Sequence, residues 1–290
     1  MNPLSWTIGD VRVTRVLEVE TKLPPEGLFP EATAEALAAH ASWLVPHFAD
    51  EAGQISMAIQ GLVIESAGLR ILVDTCLGNR EVPFEMGEEG SPFLENLASA
   101  GFPRESIDIV LCTHLHFDHT GWNTIEQGDR WVPTFPNARY LFASVEYEHW
   151  KAETEVGRGQ EFAFSFADAV QPVVDAGLAD LVETDHAINS EVWLEATPGH
   201  TPGHVAVRIA SRGEQALITG DLTHHPVQWA EVDWAMSADT DSKAAAATRR
   251  RLLEEHADRP LLVIGTHYPA PTAGHLVTHG RGHAFRALGS

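Results

Sequence analysis

Apolar and polar positions alternate near the start of the chain, where Val11, Val13, Leu17 and Val19 sit among polar neighbours and predict a first β-strand. A second alternation, Ile55, Met57 and Ile59, runs on into Leu62-Val63-Ile64 and turns at Ser66-Ala67-Gly68. It returns through Leu69, Ile71 and Val73, which is the pattern of a hairpin ending at Asp74. Residues 21–53 break the alternation: Pro24, Pro25 and Pro30 lead into an Ala-rich helix expected near 31–42, followed by Trp43, Pro46 and Phe48. This segment reads as an N-terminal arm or cap.

Farther along, Ser91-Pro92 offers a helix start and Gly101 a stop. Residues 107–111, apolar except for Asp108, are expected as a short buried strand. The stretch 146–182 reads as a helical insertion, with Phe162, Phe164 and Phe166 bunched at its middle. Strands are expected again at 192–196, 204–209, 216–219 and 261–264. A helix is expected near 242–257, where Arg250/Glu254 and Arg251/Glu255 are i,i+4 pairs. Two groups of strands with helices interleaved predict a layered α/β architecture, read as one domain over 1–290.

Composition narrows the function. Nineteen Lys and Arg against 41 Asp and Glu leave a net charge of −22, which argues against nucleic acid and anionic membrane surfaces as partners. Cys76 and Cys112 are the two cysteines, too few for a disulfide framework. The N-terminal residues show no secretory pattern, and no apolar run approaches the ~18 residues of a membrane span, so the expected location is the cytoplasm. Sixteen histidines are the oddity, because several cluster tightly.

The predicted strand 107–111 runs into Thr113-His114-Leu115-His116-Phe117-Asp118-His119. Three imidazoles and a carboxylate this close suit a borderline-soft divalent metal, zinc above all. His114-x-His116-x-Asp118-His119 resembles the signature of the metallo-β-lactamase superfamily. Further matches follow in Thr197-Pro198-Gly199-His200, Thr219-Gly220-Asp221 and Gly265-Thr266-His267. The resemblance implies an αββα sandwich and two divalent metals. His114, His116 and His200 would hold one, Asp118, His119 and His267 the other, and Asp221 would bridge them. Zinc is the expected metal, with iron, manganese or cobalt as alternatives. It further implies a metal-bridging hydroxide as nucleophile, with no need for Ser or Cys. Cys112 reads as a small buried apolar residue.

Asp74, in Leu72-Val73-Asp74-Thr75, is similar to the family's Asp-Thr-Gly, with Cys76 in place of the usual Gly. It either fixes the tautomer of a ligand histidine or caps the strand end. His204 repeats the Gly-His pattern of His200, but the family pattern uses the first. His149, His186, His256, His279 and His283 read as surface residues.

Around Asp221 and His267 the sequence is similar to the branch of N-acyl-homoserine lactonases and methyl-parathion-hydrolase-like enzymes. Many lactonases carry a Tyr three residues after the bridging Asp; this chain has His224. The expected activity is hydrolysis of a lactone or ester, with His224 stabilising the oxyanion and Asp118 passing a proton to the leaving group. Organophosphate triesters, aryl esters and, behind them, β-lactams are the alternative substrates, and a redox iron protein is a third reading. Phe29, Trp43, Phe48, Trp122, Phe164 and Trp229 are candidate walls for a small apolar substrate. The arm at 21–53 offers a surface for a second subunit, hence an expected homodimer.

Overall fold

Seven strands build the first sheet of this computed structural model, which describes residues 3–79, 91–157 and 165–289. In both spatial and chain order they are Ser5–Ile8, Val11–Leu23, Ile55–Ser66, Leu69–Val73, Ile109–Leu111, Arg139–Ala143 and Ala179–Val182. The second sheet has six: Val192–Ala196, Val205–Ser211, Glu214–Ile218, Leu261–Ile264, Ala273–His279 and Gly282–Ala287. Most neighbours are antiparallel. The exceptions are the last four strands of the first sheet, which run parallel, and Glu214–Ile218 with Leu261–Ile264 in the second.

The two sheets bury their facing sides against each other. Val11, Val13, Leu62, Ile64, Ile71, Val73 and Leu111 from the first meet Val192, Leu194, Val205, Val207, Ile209 and Ile218 from the second. Alternation puts Val63, Leu72, Val110, Tyr140 and Phe142 on the opposite side of the first sheet. There Phe93 and Leu97 of the helix Phe93–Ser99, Tyr147 and Trp150 of Ser144–Glu155, and Val170 and Val173 cover them. The outer side of the second sheet, with Leu217, Val263, Leu276 and Phe285, is covered by the helix Ser242–His256 and by the arm. The order of layers is therefore αββα.

Several elements differ from the sequence pattern. The first long strand continues to Leu23, so residues 21–23 belong to the sheet and not to the arm. The arm's helix is two short pieces, Ala34–Ala38 and Ala41–Leu44. Within 146–182, helix Ser144–Glu155 is followed by a π-helical turn at Phe166–Val170 and helix Gln171–Asp175, and the stretch ends in the edge strand Ala179–Val182. Phe162 and Phe164 lie outside the described residues. Two hairpins were not legible in the pattern, Thr124–Gln127 with Arg130–Pro133 and Ala273–His279 with Gly282–Ala287. Among the described residues, no helix is long and apolar enough to cross a membrane.

Candidate metal centre

Parallel neighbours end at the same edge of a sheet, and this gathers the chemistry. Asp74 follows strand Leu69–Val73, the His114–His119 segment follows Ile109–Leu111, and Glu146 opens the helix after Arg139–Ala143. Across the sandwich, Asp221 follows Glu214–Ile218 and His267 follows the parallel strand Leu261–Ile264. His200 sits in the loop leaving Val192–Ala196. The structure thus brings His114, His116, Asp118, His119, His200, Asp221 and His267 into one cluster, with His224 beside it.

Within it, ligand atoms of His114, His116 and His200 lie within 4.8 Å of one another, as do those of Asp118, His119 and His267. Asp221 stands between the two triads. Its Oδ1 is 3.0 Å from His267 Nε2 and 3.2 Å from His119 Nε2. Its Oδ2 is 3.4 Å from His200 Nε2 and 3.7 Å from His114 Nε2. All of these are buried, apart from Asp118, whose side chain keeps 15% of its surface.

Each of four rings is tied back through Nδ1, which aims Nε2 at the centre. His119 Nδ1–H donates to Asp74 Oδ2 at 2.9 Å, His200 Nδ1–H to Asp239 Oδ1 at 2.9 Å, and His267 Nδ1–H to the carbonyl of Ala58 at 2.8 Å. His114 Nδ1–H donates to Thr113 Oγ1 at 3.1 Å, and that hydroxyl donates to Asp74 Oδ2 at 2.9 Å. With Nδ1 committed as donor, a neutral ring presents a bare lone pair at Nε2. Yet the Nε2 atoms of His119 and His267 face each other at 3.2 Å, with Asp221 Oδ1 between. With both rings neutral these three acceptors repel, and either a proton or a metal cation among them removes the repulsion. His114 Nε2 and His224 Nδ1 likewise make no hydrogen bond, and His224 Nε2 lies 3.0 Å from Asp221 Oδ2. The residues present fit a pair of divalent ions.

The electrostatics agree. Burial holds the imidazoles of His114, His116 and His200 well below their ordinary range. For His119 and His267 burial opposes charge, but Asp221 and Asp118 outweigh it and raise both. Burial would likewise raise Asp221, but His119, His267, His224 and His114 hold it well below the carboxylate range. Without metal the site therefore favours protons at His119 and His267, while His114, His116 and His200 stay neutral.

His204 lies outside the triads and accepts the Asp221 backbone N–H. Both cysteines are free and buried, and burial pushes their thiols up, so neither serves as a nucleophile. Of the aromatic residues expected to face a substrate, Phe29 and Phe48 of the arm and Trp229 are fully buried in one cluster, with Phe48 packed edge-on against Phe285 and Tyr268. Trp122 is buried on the far side of the first sheet and donates its indole N–H to Glu18. Phe29, Phe48 and Trp229 have no face open to a ligand, and Trp122 keeps 7% of its surface. Trp43 is half-buried beside His40, and Phe164 lies outside the described residues. Sequence reasoning missed Thr113, Asp239 and Glu146. Their partners are fixed by tertiary contact, and no spacing announces them.

Residues 56–267 match the family described as the metallo-beta-lactamase superfamily. An N-acyl homoserine lactonase of Bacillus cereus is 25% identical over 171 residues, 58% of this chain and 59% of that protein. The chain thus spans about three-fifths of that relative's length. The dizinc quorum-quenching lactonase AidC has the same fold, with a TM-score of 0.81 at 21% identity, covering 98% of this chain and 96% of that one. The hydrolase AbOPH of the beta lactamase superfamily matches with a TM-score of 0.81 at 24% identity over 100% of this chain and 98% of that one.

Proposed function

Given that the chain belongs to the metallo-β-lactamase superfamily, we propose that it is a dinuclear metal-dependent hydrolase that opens lactones or cleaves esters, with N-acyl homoserine lactones as its leading substrate class. The observation that carries this reading is the convergence of two ligand triads on the two oxygens of Asp221. His114, His116 and His200 would hold one ion, and Asp118, His119 and His267 the other. Zinc suits the imidazole-rich donor set. Such a pair supplies Lewis acidity toward a carbonyl oxygen and lowers the pKa of water to about 7.

The chain's own residues do the rest. His224 is positioned by its backbone N–H, which donates to Gln228 Oε1 at 2.7 Å, and its ring lies parallel to that of His267 at 5.7 Å. Its Nε2 lies 3.0 Å from Asp221 Oδ2, and a ring N–H at this position is suited to stabilise the oxyanion that develops as the carbonyl is attacked. Asp118, the part-exposed carboxylate of the cluster, is suited to carry a proton to the leaving alkoxide. Burial of the other ligands keeps bulk water away from the reacting atoms.

A second reading rests on His224 itself. A histidine in place of the lactonase tyrosine favours phosphotriesters or aryl esters on the same machinery. Ring opening of a medium- and a long-chain N-acyl homoserine lactone by the zinc-replete protein, followed with a pH indicator beside a chelated control, separates the two. Fast, chelator-sensitive acid release is the expected result. No release from protein carrying two metals moves the assignment to the second reading.

A further inference from the structure

Glu146 is a fully buried carboxylate, the third residue of helix Ser144–Glu155, and it contributes no atom to either triad. Its Oε1 accepts the backbone N–H of Leu115 at 3.1 Å and the indole N–H of Trp150 at 2.7 Å. Its Oε2 accepts the backbone N–H of Gly203 at 2.9 Å. Leu115 lies between His114 and His116, and Gly203 follows His200 by three residues. One carboxylate therefore joins the two loops that deliver His114, His116 and His200.

The packing leaves these loops little freedom. A Cβ on Gly203 would lie 2.3 Å from the Glu146 nitrogen and 2.6 Å from its Cβ, so helix and loop touch backbone to backbone. Trp150, one turn on, holds Oε1 and presents its ring to His116 with centroids 5.2 Å apart. Burial pushes the Glu146 carboxyl up, and the donors around it push the other way. Burying a carboxylate costs several kcal/mol unless its lone pairs are satisfied, and here backbone donors from two separate loops satisfy them.

We propose that Glu146 is a positioning residue that sets the metal affinity of the His114–His116–His200 triad by locking its two loops together. This rests on the dinuclear reading above. An amide cannot do the same work. The Leu115 and Gly203 N–H groups approach different oxygens, so Glu146→Gln must turn its own NH2 toward one of them.

The test is Glu146→Gln in the full chain, titrated with zinc against a competing chelator. Occupancy at the two positions is resolved by anomalous scattering from crystals grown at limiting zinc. The expected result is an affinity about 10–100-fold lower for the His114–His116–His200 position, with the other triad changed by less than about threefold. Trp150→Phe removes the indole donor but leaves both loop contacts, and is expected to hold both metals within about threefold of the parent. Should Glu146→Gln fail to fold, Glu146→Asp takes its place with the same expectation, because it keeps the charge but draws the carboxylate back from both loops. Unchanged affinity at both positions, or an equal loss at both, overturns the inference while leaving the dinuclear site intact. A parent protein that binds fewer than two equivalents of metal overturns the dinuclear reading itself, and this inference with it.

Discussion

The backbone N–H of Asp221 donates to Nε2 of His204 at 2.8 Å, inside the protein, with the His204 ring 5.2 Å from that of His114. On its other side, His204 Nδ1 lies 2.8 Å from the hydroxyl and 3.1 Å from the carbonyl of Thr197. Burial pushes this imidazole down to about 4, so it stays neutral and keeps the lone pair that Asp221 needs. Gly220, at φ +53°, allows the close approach, since a Cβ there would come within 2.5 Å of His204 Nε2. His204→Phe keeps a flat ring but removes the acceptor. Leaving a buried N–H unpaired is expected to destabilise the metal-free protein by about 1–3 kcal/mol in urea unfolding. Because Asp221 faces both triads, zinc retention should drop for both metals. Unchanged stability would show that the contact is incidental.

His224 is the residue on which the proposed chemistry turns. Removing a donor aimed at a developing oxyanion lowers kcat by about 10²–10³. His224→Ala is therefore expected to lose turnover on this scale while metal analysis still counts two equivalents. Equal turnover in the variant would remove His224 from the mechanism.

Much of this arrangement was legible in the chain because its ligands follow apolar strands. The run before His114 and the run 261–264 before His267 are short and continuously apolar, as strands covered on both faces must be. The parts that stayed hidden have physical reasons. Ala273–His279 carries Gly274, His275 and two polar residues at its end, and Ala179–Val182 is a half-buried sheet edge, so neither has a clean period. Phe29 and Phe48 read as substrate walls because the segment 21–53 reads as an arm or cap beside the fold. In the fold that arm is the outer wall of the second sheet's core. Glu146 reads as an ordinary helix residue, since its partners in the two ligand loops are main-chain N–H groups, which leave no mark in a sequence.

His225 gives the fold a pH dependence separate from the metal ligands. Its Nδ1 accepts the Val227 N–H at 3.2 Å and its Nε2–H donates to the Phe48 carbonyl at 2.8 Å, tying the loop beside the centre to the arm. Burial lowers its pKa from 6.5 to about 4. As pH falls below 6.5 the unfolded chain takes a proton that the folded chain refuses, so stability is full above 6.5 and is lost progressively toward 4. The gap corresponds to about 3 kcal/mol. His225→Gln can keep the bond to Phe48 without titrating. With metal stripped by chelator, its urea midpoint should fall less steeply than the parent's over this window. Parallel slopes would clear His225 of the effect.

Asp74 offers the matching probe for the second triad. Its Oδ2 holds His119 directly and His114 through Thr113, while Oδ1 accepts the Thr113 N–H at 2.7 Å. The residue sits at φ +60°, a left-handed conformation that asparagine tolerates as well as aspartate, so Asp74→Asn changes the charge and the acceptors with little backbone strain. An amide has one acceptor oxygen for three donors, and its NH2 must oppose at least one of them. His119, bonded directly, loses its orientation first; His114 is buffered by the Thr113 hydroxyl. Zinc affinity should therefore fall by about 10–100-fold at the Asp118–His119–His267 position and by less at the other. In chelator competition this is the reverse of the order expected for Glu146→Gln. If both variants release the same metal first, the two carboxylates do not govern separate halves of the centre, and the assignment of Asp74 to His119 fails.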